Sequence, residues 1–443
     1  MTRASLLALV GLLGVGCNEP AFVIVADVSK NCNEVVVEPV IDAQGFGVST
    51  ILDAAATPTA SGVGGTASVW LLLLVSTGSG DQLAVRHVVD GTVTREVPIP
   101  LPSQPGSIVL RGSPDPDEVF VLHRGSGTFR VWRVAADLAD PGVQSSQELV
   151  GFPHDTFTCA PCDTSDWHRD LLFLDNRPYV VSVPPLSENA AVSVWVGALS
   201  ANPPETGTLN VGTEHRLNFE RMCQPNFDDS DNEDSDLCEA NKLDVSYPTV
   251  TVLGRQHDPR PTYSRMLIHR ERAEAGYEEF TVADVFVVTL ELDADGIPKG
   301  VLRSYQGFDE PVTSTPSGLV VDRFSTYAMY TTRYADPPTR LLELPAPTAD
   351  FEDITTALGG AIGPDTQLLP LDQDVALGEV VDGTWEITKL FPDDLSKSGT
   401  TVYAPERPIS GVRAVGPGYF LLAHDEGRPD VVRVRCIEPS FED

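Results

Sequence analysis

Seven times along this chain, a run of strand-forming apolar residues, a short polar turn and a second such run follow one another. This recurrence constrains the fold more than any other feature. The units begin at Ser68 (SVWLLLLVSTGSGDQLAVRHVV), Glu118 (EVFVLHRGSGTFRVWRV), Arg177 (RPYVVSVPPLSENAAVSVWVGAL) and Tyr263 (YSRMLIHRERAEAGYEEFTVADVFVVTLEL). Three more begin at Ser325 (STYAMYTTRYADPPTRLLELP), Asp374 (DVALGEVVDGTWEITKLF) and Gly418 (GYFLLAHDEGRPDVVRVRCIE). Several carry arginine among their apolar positions. Helical signals are scarce: Gly and Pro number 36 each and are spread throughout, and no long segment keeps helical spacing between recognisable caps. Asp90-Gly91, Asp295-Gly296 and Asp382-Gly383 lie between apolar stretches, where Asp-Gly suits the positive backbone angles of a tight hairpin. The chain is expected to be all-β.

The shorter intervals between unit starts are about 50–60 residues, somewhat longer than familiar blade repeats, as expected when loops are elaborated. The expected architecture is a single β-propeller of six to eight blades, with seven the best fit. In architecture it resembles the broad WD40-like class of bacterial propellers, although no repeat carries that class's Gly-His and Trp-Asp signature. The alternative is a series of tandem β-sandwich domains, which irregular spacing also permits. Residues 53–67 (DAAATPTASGVGGTA) are small and read as a surface loop or linker.

The N-terminus has its own pattern. Arg3 precedes the apolar run LLALVGLLGV at 6–15, which is too short to span a bilayer, and Gly14-Val15-Gly16-Cys17 overlaps its end. This segment resembles the signal and lipobox of bacterial lipoproteins, with Val15 and Gly16 fitting and Gly14 standing where the family has Leu, Val or Ile. The resemblance implies a signal peptide at 1–16 and a mature N-terminus at Cys17 that carries acyl chains, an anchor rather than a span. Asn18 carries no charge, which favours an outer-membrane destination. Ordinary cleavage after Gly16, giving a soluble secreted protein, is the other reading. Cysteine parity favours the lipoprotein: the sequence has seven cysteines, and setting Cys17 aside leaves Cys32, Cys159, Cys162, Cys223, Cys238 and Cys436, a set that pairs completely. The expected organisation is then the signal at 1–16; an anchor segment, first strand and flexible loop at 17–67; the propeller at 68–437; and a short tail at 438–443.

With 30 Lys+Arg against 64 Asp+Glu, the formal charge of −34 repels nucleic acid and anionic headgroups, so neither is an expected partner. Apolar residues make up 42% of the chain, too many for a disordered polymer. Cys32 follows the strand-like AFVIVAD and Cys436 ends VVRVRC; if they pair, the two ends of the fold lie side by side, as closure of a ring requires. Cys159-Ala160-Pro161-Cys162 is read as a local disulfide, against a zinc site recruiting His154 and His168 or a redox pair. Cys223 and Cys238 bracket CQPNFDDSDNEDSDLC, an acidic segment held at both ends. Asp228, Asp231, Asp234 and Asp236, with Glu239 just outside, are candidate Ca²⁺ ligands, since Ca²⁺ takes crowded hard oxygens. Glu233 stands where such loops need glycine, and a solvated acidic insertion is the competing reading.

Four histidines precede arginine (His123-Arg124, His168-Arg169, His215-Arg216, His269-Arg270) without a clear period. No H-E-x-x-H, G-x-S-x-G, P-loop or dinucleotide fingerprint occurs. The expected function is therefore a non-catalytic, lipid-anchored platform at the bacterial envelope that binds protein or glycan. Its alternatives are a hydrolase or lyase acting on extracellular polymer, and a Ca²⁺-stabilised adhesion subunit.

Overall fold

The computed structural model describes 28 strands and the tight turns between many of them, from Glu34 to Ile437; residues 1–33, 150–167, 220–248, 438–443 and several shorter connections lie outside the description. Strand β1 (Glu34–Ile41) comes first. The remaining strands fall in chain order into antiparallel quartets. The first is β2 (Ser49–Pro58), β3 (Ala67–Thr77), β4 (Gly80–Val89) and β5 (Thr92–Ile99). The second is β6 (Gly106–Gly112), β7 (Glu118–Gly125), β8 (Thr128–Ala135) and β9 (Ser146–Leu149). The third is β10 (His168–Leu174), β11 (Arg177–Val183), β12 (Val192–Ala201) and β13 (Thr208–Phe219). The fourth is β14 (Thr249–Leu253), β15 (Tyr263–Glu274), β16 (Tyr277–Leu292) and β17 (Pro298–Pro311). The fifth is β18 (Ser317–Val320), β19 (Thr326–Thr331), β20 (Thr339–Leu344) and β21 (Glu352–Asp353). The sixth is β22 (Gln367–Pro370), β23 (Val375–Val381), β24 (Thr384–Lys389) and β25 (Thr400–Tyr403). The last three strands, β26 (Ile409–Gly416), β27 (Tyr419–His424) and β28 (Asp430–Ile437), take β1 as their fourth member. The second and third quartets share one eight-stranded sheet through a short parallel contact of β9 with β13. No α-helix occurs among the described residues; Thr355–Leu358 forms a 3₁₀ turn. The protein is all-β.

Each of the seven recurring sequence units is the second and third strand of one quartet. Where their side chains are described, these central strands are strongly apolar and bury both faces, as β3 does. In β3, Val69, Leu71 and Leu73 pack with Tyr419, Leu421 and Val431 of the last quartet. Trp70 and Leu72 from the same strand pack with Val119, Val121 and Trp132 of the second. Successive side chains of a strand point to opposite faces, so one uninterrupted apolar run serves two cores. The pattern repeats: the second quartet packs on the third, the third on the fourth, the fifth on the sixth and the sixth on the last. The first strands also touch their neighbours. β2 meets β6 and β26, β10 meets β14, β14 meets β18, β18 meets β22, and β22 meets β26. Arg111 on β6 reaches Asp170 on β10.

The first and last described strands lie side by side, and Cys32 falls outside the described residues. β1 runs antiparallel to β28, with Val35 opposite Cys436 and Val37 opposite Val434. Arg435 Nη2 adds an ion pair to Glu38 Oε1 at 2.5 Å. The glycines of the three Asp-Gly pairs, Gly91, Gly296 and Gly383, follow β4, β16 and β23, each at positive φ. Asp382 and Gly383 both have positive φ, 50° and 81°, the two-residue turn whose twist matches paired strands. One expectation changes. Residues 53–58 are not part of a loop but continue β2, in which Asp53 and Ala54 to Ala56 are buried. Small alanines there read as linker, yet they let β2 sit between two packed quartets.

Candidate functional site

Two buried carboxylates and three arginines form a chain across the first strands. A bulge in β2 between Ile51 and Asp53 turns Leu52 outward and Asp53 inward, opposite Leu72 of β3. Asp53 Oδ1 accepts a hydrogen bond from its neighbour Ala54 N at 2.6 Å and pairs with Arg413 Nη2 of β26 at 2.5 Å. Its Oδ2 accepts Leu110 N of β6 at 2.8 Å. One carboxylate thus ties together three quartets. Burial pushes the Asp53 carboxyl above its ordinary value, and Arg413, the two backbone bonds and Arg111 only partly offset it.

Asp170 does the same between the second and third quartets. Its Oδ1 accepts Leu171 N at 2.7 Å. Arg111 grips it with a two-pronged contact, Nε to Oδ1 at 3.1 Å and Nη2 to Oδ2 at 3.2 Å. Arg124 of β7 adds Nη2 to Oδ2 at 2.7 Å. Burial would raise this carboxyl, but the two guanidiniums and the bonds from Arg111 and Leu171 N outweigh it and hold Asp170 below its ordinary range. Arg111, in turn, is kept charged: burial works against its cation, and Asp170, with help from Asp53, more than compensates.

The carboxylates are shut away while the guanidiniums reach solvent. Asp53 and Asp170 side chains are 5% and 3% exposed, against 47% for Arg413, 35% for Arg111 and 28% for Arg124. Three cations against two anions leave an excess positive charge, in a chain whose formal total is −34. Asp170 is locked as an anion between two cations, so it is poorly suited to proton transfer. The groups left over are N–H donors, so what this arrangement can do is hold an anion.

Two histidine arrangements elsewhere are structural. His87 Nε2 lies 2.8 Å from Ser68 Oγ and Nδ1 lies 3.0 Å from Thr94 Oγ1, with the ring stacked 4.1 Å from Trp70. A serine beside a histidine suggests a nucleophile, but Ser68 is buried and donates to Pro116 O at 2.9 Å. His424 bridges Pro408 O and Asp430 Oδ2 at 2.9 and 3.0 Å within the last quartet, and Arg407 closes on the same oxygen at 2.5 Å.

The residues singled out from sequence lie mostly elsewhere. Cys17, Cys32, Cys159, Cys162, Cys223 and Cys238 fall outside the described residues, as do Asp228, Asp231, Asp234, Asp236 and Glu239. Cys436 is on β28, opposite Val35. Among the described residues no group of three or more His, Cys, Asp or Glu side chains is arranged to hold a metal, and no helix is long and apolar enough to cross a membrane. Of the His-Arg pairs, His123-Arg124 reaches the charged chain, and His168-Arg169 directly precedes Asp170 on β10. Sequence reasoning passed over Asp53, Arg111, Asp170 and Arg413. The available signal was a charge set in a short apolar strand, alone in ILDAAA and IVLRG and next to Arg169 in RDLLFL.

No protein-family model matches the chain, and no curated protein does. Among solved structures, an acylaminoacyl peptidase of Pyrococcus horikoshii is similar over 85% of this chain, at 9% identity and a TM-score of 0.40, and the chain spans 52% of that enzyme's length. The WD40 domain of Toxoplasma gondii coronin is similar over 92% of this chain and 88% of its own, at 8% identity and a TM-score of 0.38. A subtype N10 neuraminidase-like protein of A/little yellow-shouldered bat matches 73% of this chain and 92% of its own, at 7% identity and a TM-score of 0.36.

Proposed function

We propose that this chain is a seven-bladed β-propeller, exported and lipid-anchored through Cys17, that acts as a non-catalytic platform binding protein or glycan at the bacterial envelope. The observation that carries the reading is the cyclic order of packing. The first, second, third, sixth and last quartets each have a neighbour on both faces. The first strands touch in sequence from β2 round to β26 and back, with Arg111 to Asp170 joining β6 to β10, and β1 supplies the last quartet's missing strand. A row of two-sheet sandwiches leaves each sheet one face for solvent, which the double packing of β3 disfavours. A ring of this kind is rigid and presents many loops, where binding sits on such scaffolds. The chemistry of the best-formed charged cluster supports binding over catalysis, since its carboxylates are spent holding arginines in place.

The anchor and the platform are tested together in cells. Labelled palmitate is expected to enter the parent protein and not Cys17→Ser, which is expected in the soluble fraction. Cross-linking of intact cells carrying a tag after Asp443 is expected to recover one envelope component in stoichiometric yield. A soluble, unlabelled parent would refute the anchor. Recovery of nothing but polysaccharide fragments shortened by the purified protein would replace the platform with an enzyme.

A further inference from the structure

We propose that the inner rim of the ring, at Arg413 and Arg111, binds the carboxylate of a small ligand. This rests on the propeller reading above, which places β26, β2, β6 and β10 side by side around a central axis. Arg413 and Arg111 flank the same buried carboxylate, Asp53, from opposite neighbouring strands. Arg413 commits one nitrogen, Nη2, to Asp53 and to Leu52 O at 3.4 Å. Its Nε and Nη1 have no partner among the described residues, and its side chain is nearly half exposed. Arg111 spends Nε and one N–H of Nη2 on Asp170 and one N–H of Nη1 on Leu110 O at 3.2 Å, so two of its five N–H donors remain. Arg124 Nε, on the far side of Asp170, also finds no hydrogen-bond acceptor among the described residues.

Two guanidiniums each tethered to a buried carboxylate, partly exposed and with donors unspent, are pre-organised for a planar two-oxygen acceptor. The buried carboxylates fix the side-chain positions before any ligand arrives, so little rotamer freedom is lost on binding. The ring is also lopsided. Charges on the first strands are confined to β26, β2, β6 and β10, whereas β14 (TVTVL), β18 (SGLV) and β22 (QLLP) carry none. A ligand with a carboxylate at one end and an uncharged body fits that division. Because the whole chain is strongly acidic, long-range attraction does not supply the affinity; the short-range fork does, and the expected dissociation constant is modest, on the order of 1 mM or tighter.

The test is calorimetric titration of the full mature chain at constant ionic strength with sodium glucuronate and sodium glutamate, and with sodium sulfate and chloride as controls. Glucuronate alone giving heat assigns the carboxylate to an acidic sugar, and glutamate alone assigns it to an amino acid or acidic peptide end. Arg413→Lys retains the charge that balances Asp53 but loses the fork, so it is expected to keep the parent's thermal midpoint and bind at least about ten-fold more weakly. The proposal is overturned if neither carboxylate binds. It is equally overturned if Arg413→Lys binds as the parent does, or if chloride competes as well as the carboxylates. Cell cross-linking reports on the platform independently, so an empty rim and a missing partner remain separate results.

Discussion

Removing Asp170 tests whether the charged chain holds the second and third quartets together. Asp170 is 3% exposed and receives three contacts from two guanidiniums and one from Leu171 N. Removing one partner from a buried ion pair costs about 3–5 kcal/mol when the orphaned charge stays buried. Here Arg111 and Arg124 are about a third exposed and regain water, so Asp170→Ala is expected to cost less, about 2–4 kcal/mol. Asp170→Asn preserves the shape and one acceptor oxygen, and is expected to cost about 1–3 kcal/mol. The sign of the pH effect follows from the lowered folded-state value. Below the ordinary value of 3.8, the unfolded chain binds a proton that the folded chain refuses. The Asp170 contribution is therefore complete above 3.8 and disappears as pH falls through the lower folded value. Equilibrium urea unfolding of the parent and both variants, followed by tryptophan fluorescence between neutral pH and pH 3, measures this directly. The parent should lose stability more steeply than Asp170→Asn below pH 4. A change under about 0.5 kcal/mol for Asp170→Ala, at unchanged m-value, would refute the reasoning, as would parallel acid curves for parent and Asp170→Asn.

A Cβ on Gly416 would overlap the Ala56 carbonyl oxygen where β26 passes β2, so Gly416→Ala is expected to cost about 1–3 kcal/mol by pushing first and last quartets apart; an unchanged urea midpoint would contradict that close approach. Val35 is buried in the core between the sixth and last quartets, so Val35→Asp should free β1 and expose the edge of β28, seen as fast amide exchange on β28 with slow exchange retained in the third quartet. Uniform protection in that variant would mean that β1 does not complete the last sheet. Burial lowers the His87 value below 6.5 despite Asp117, an effect to which Arg95 also contributes. Its contribution is thus complete above pH 6.5 and lost as pH falls through the lower folded value, and His87→Gln should flatten the stability profile there; an unaltered profile would remove His87 as its source.

How much was legible in the sequence depended on what each strand buries. Central strands such as β3 announced themselves, because a strand packed on both faces must be apolar along its whole length, as SVWLLLLV is. The Asp-Gly turns were legible because each needs a residue that accepts positive φ, which Gly91, Gly296 and Gly383 supply and which Asp382 adopts as well. First and fourth strands were not: β21 and β25 are short edge strands, and β2 carries three alanines and an aspartate that look like linker until two neighbours close around them.

The sequence by itself determined an all-β chain with seven strand-turn-strand units, since alternation and turn chemistry are local properties. Which sheets touch, and in what order, was decided only by the tertiary structure, because packing between quartets joins residues such as Tyr419 and Leu71 that no local pattern relates. The charged chain belongs to the same class. Asp53 and Arg413 are separated by 360 residues, and a carboxylate 5% exposed is tolerable only because the returning last quartet delivers a guanidinium to it.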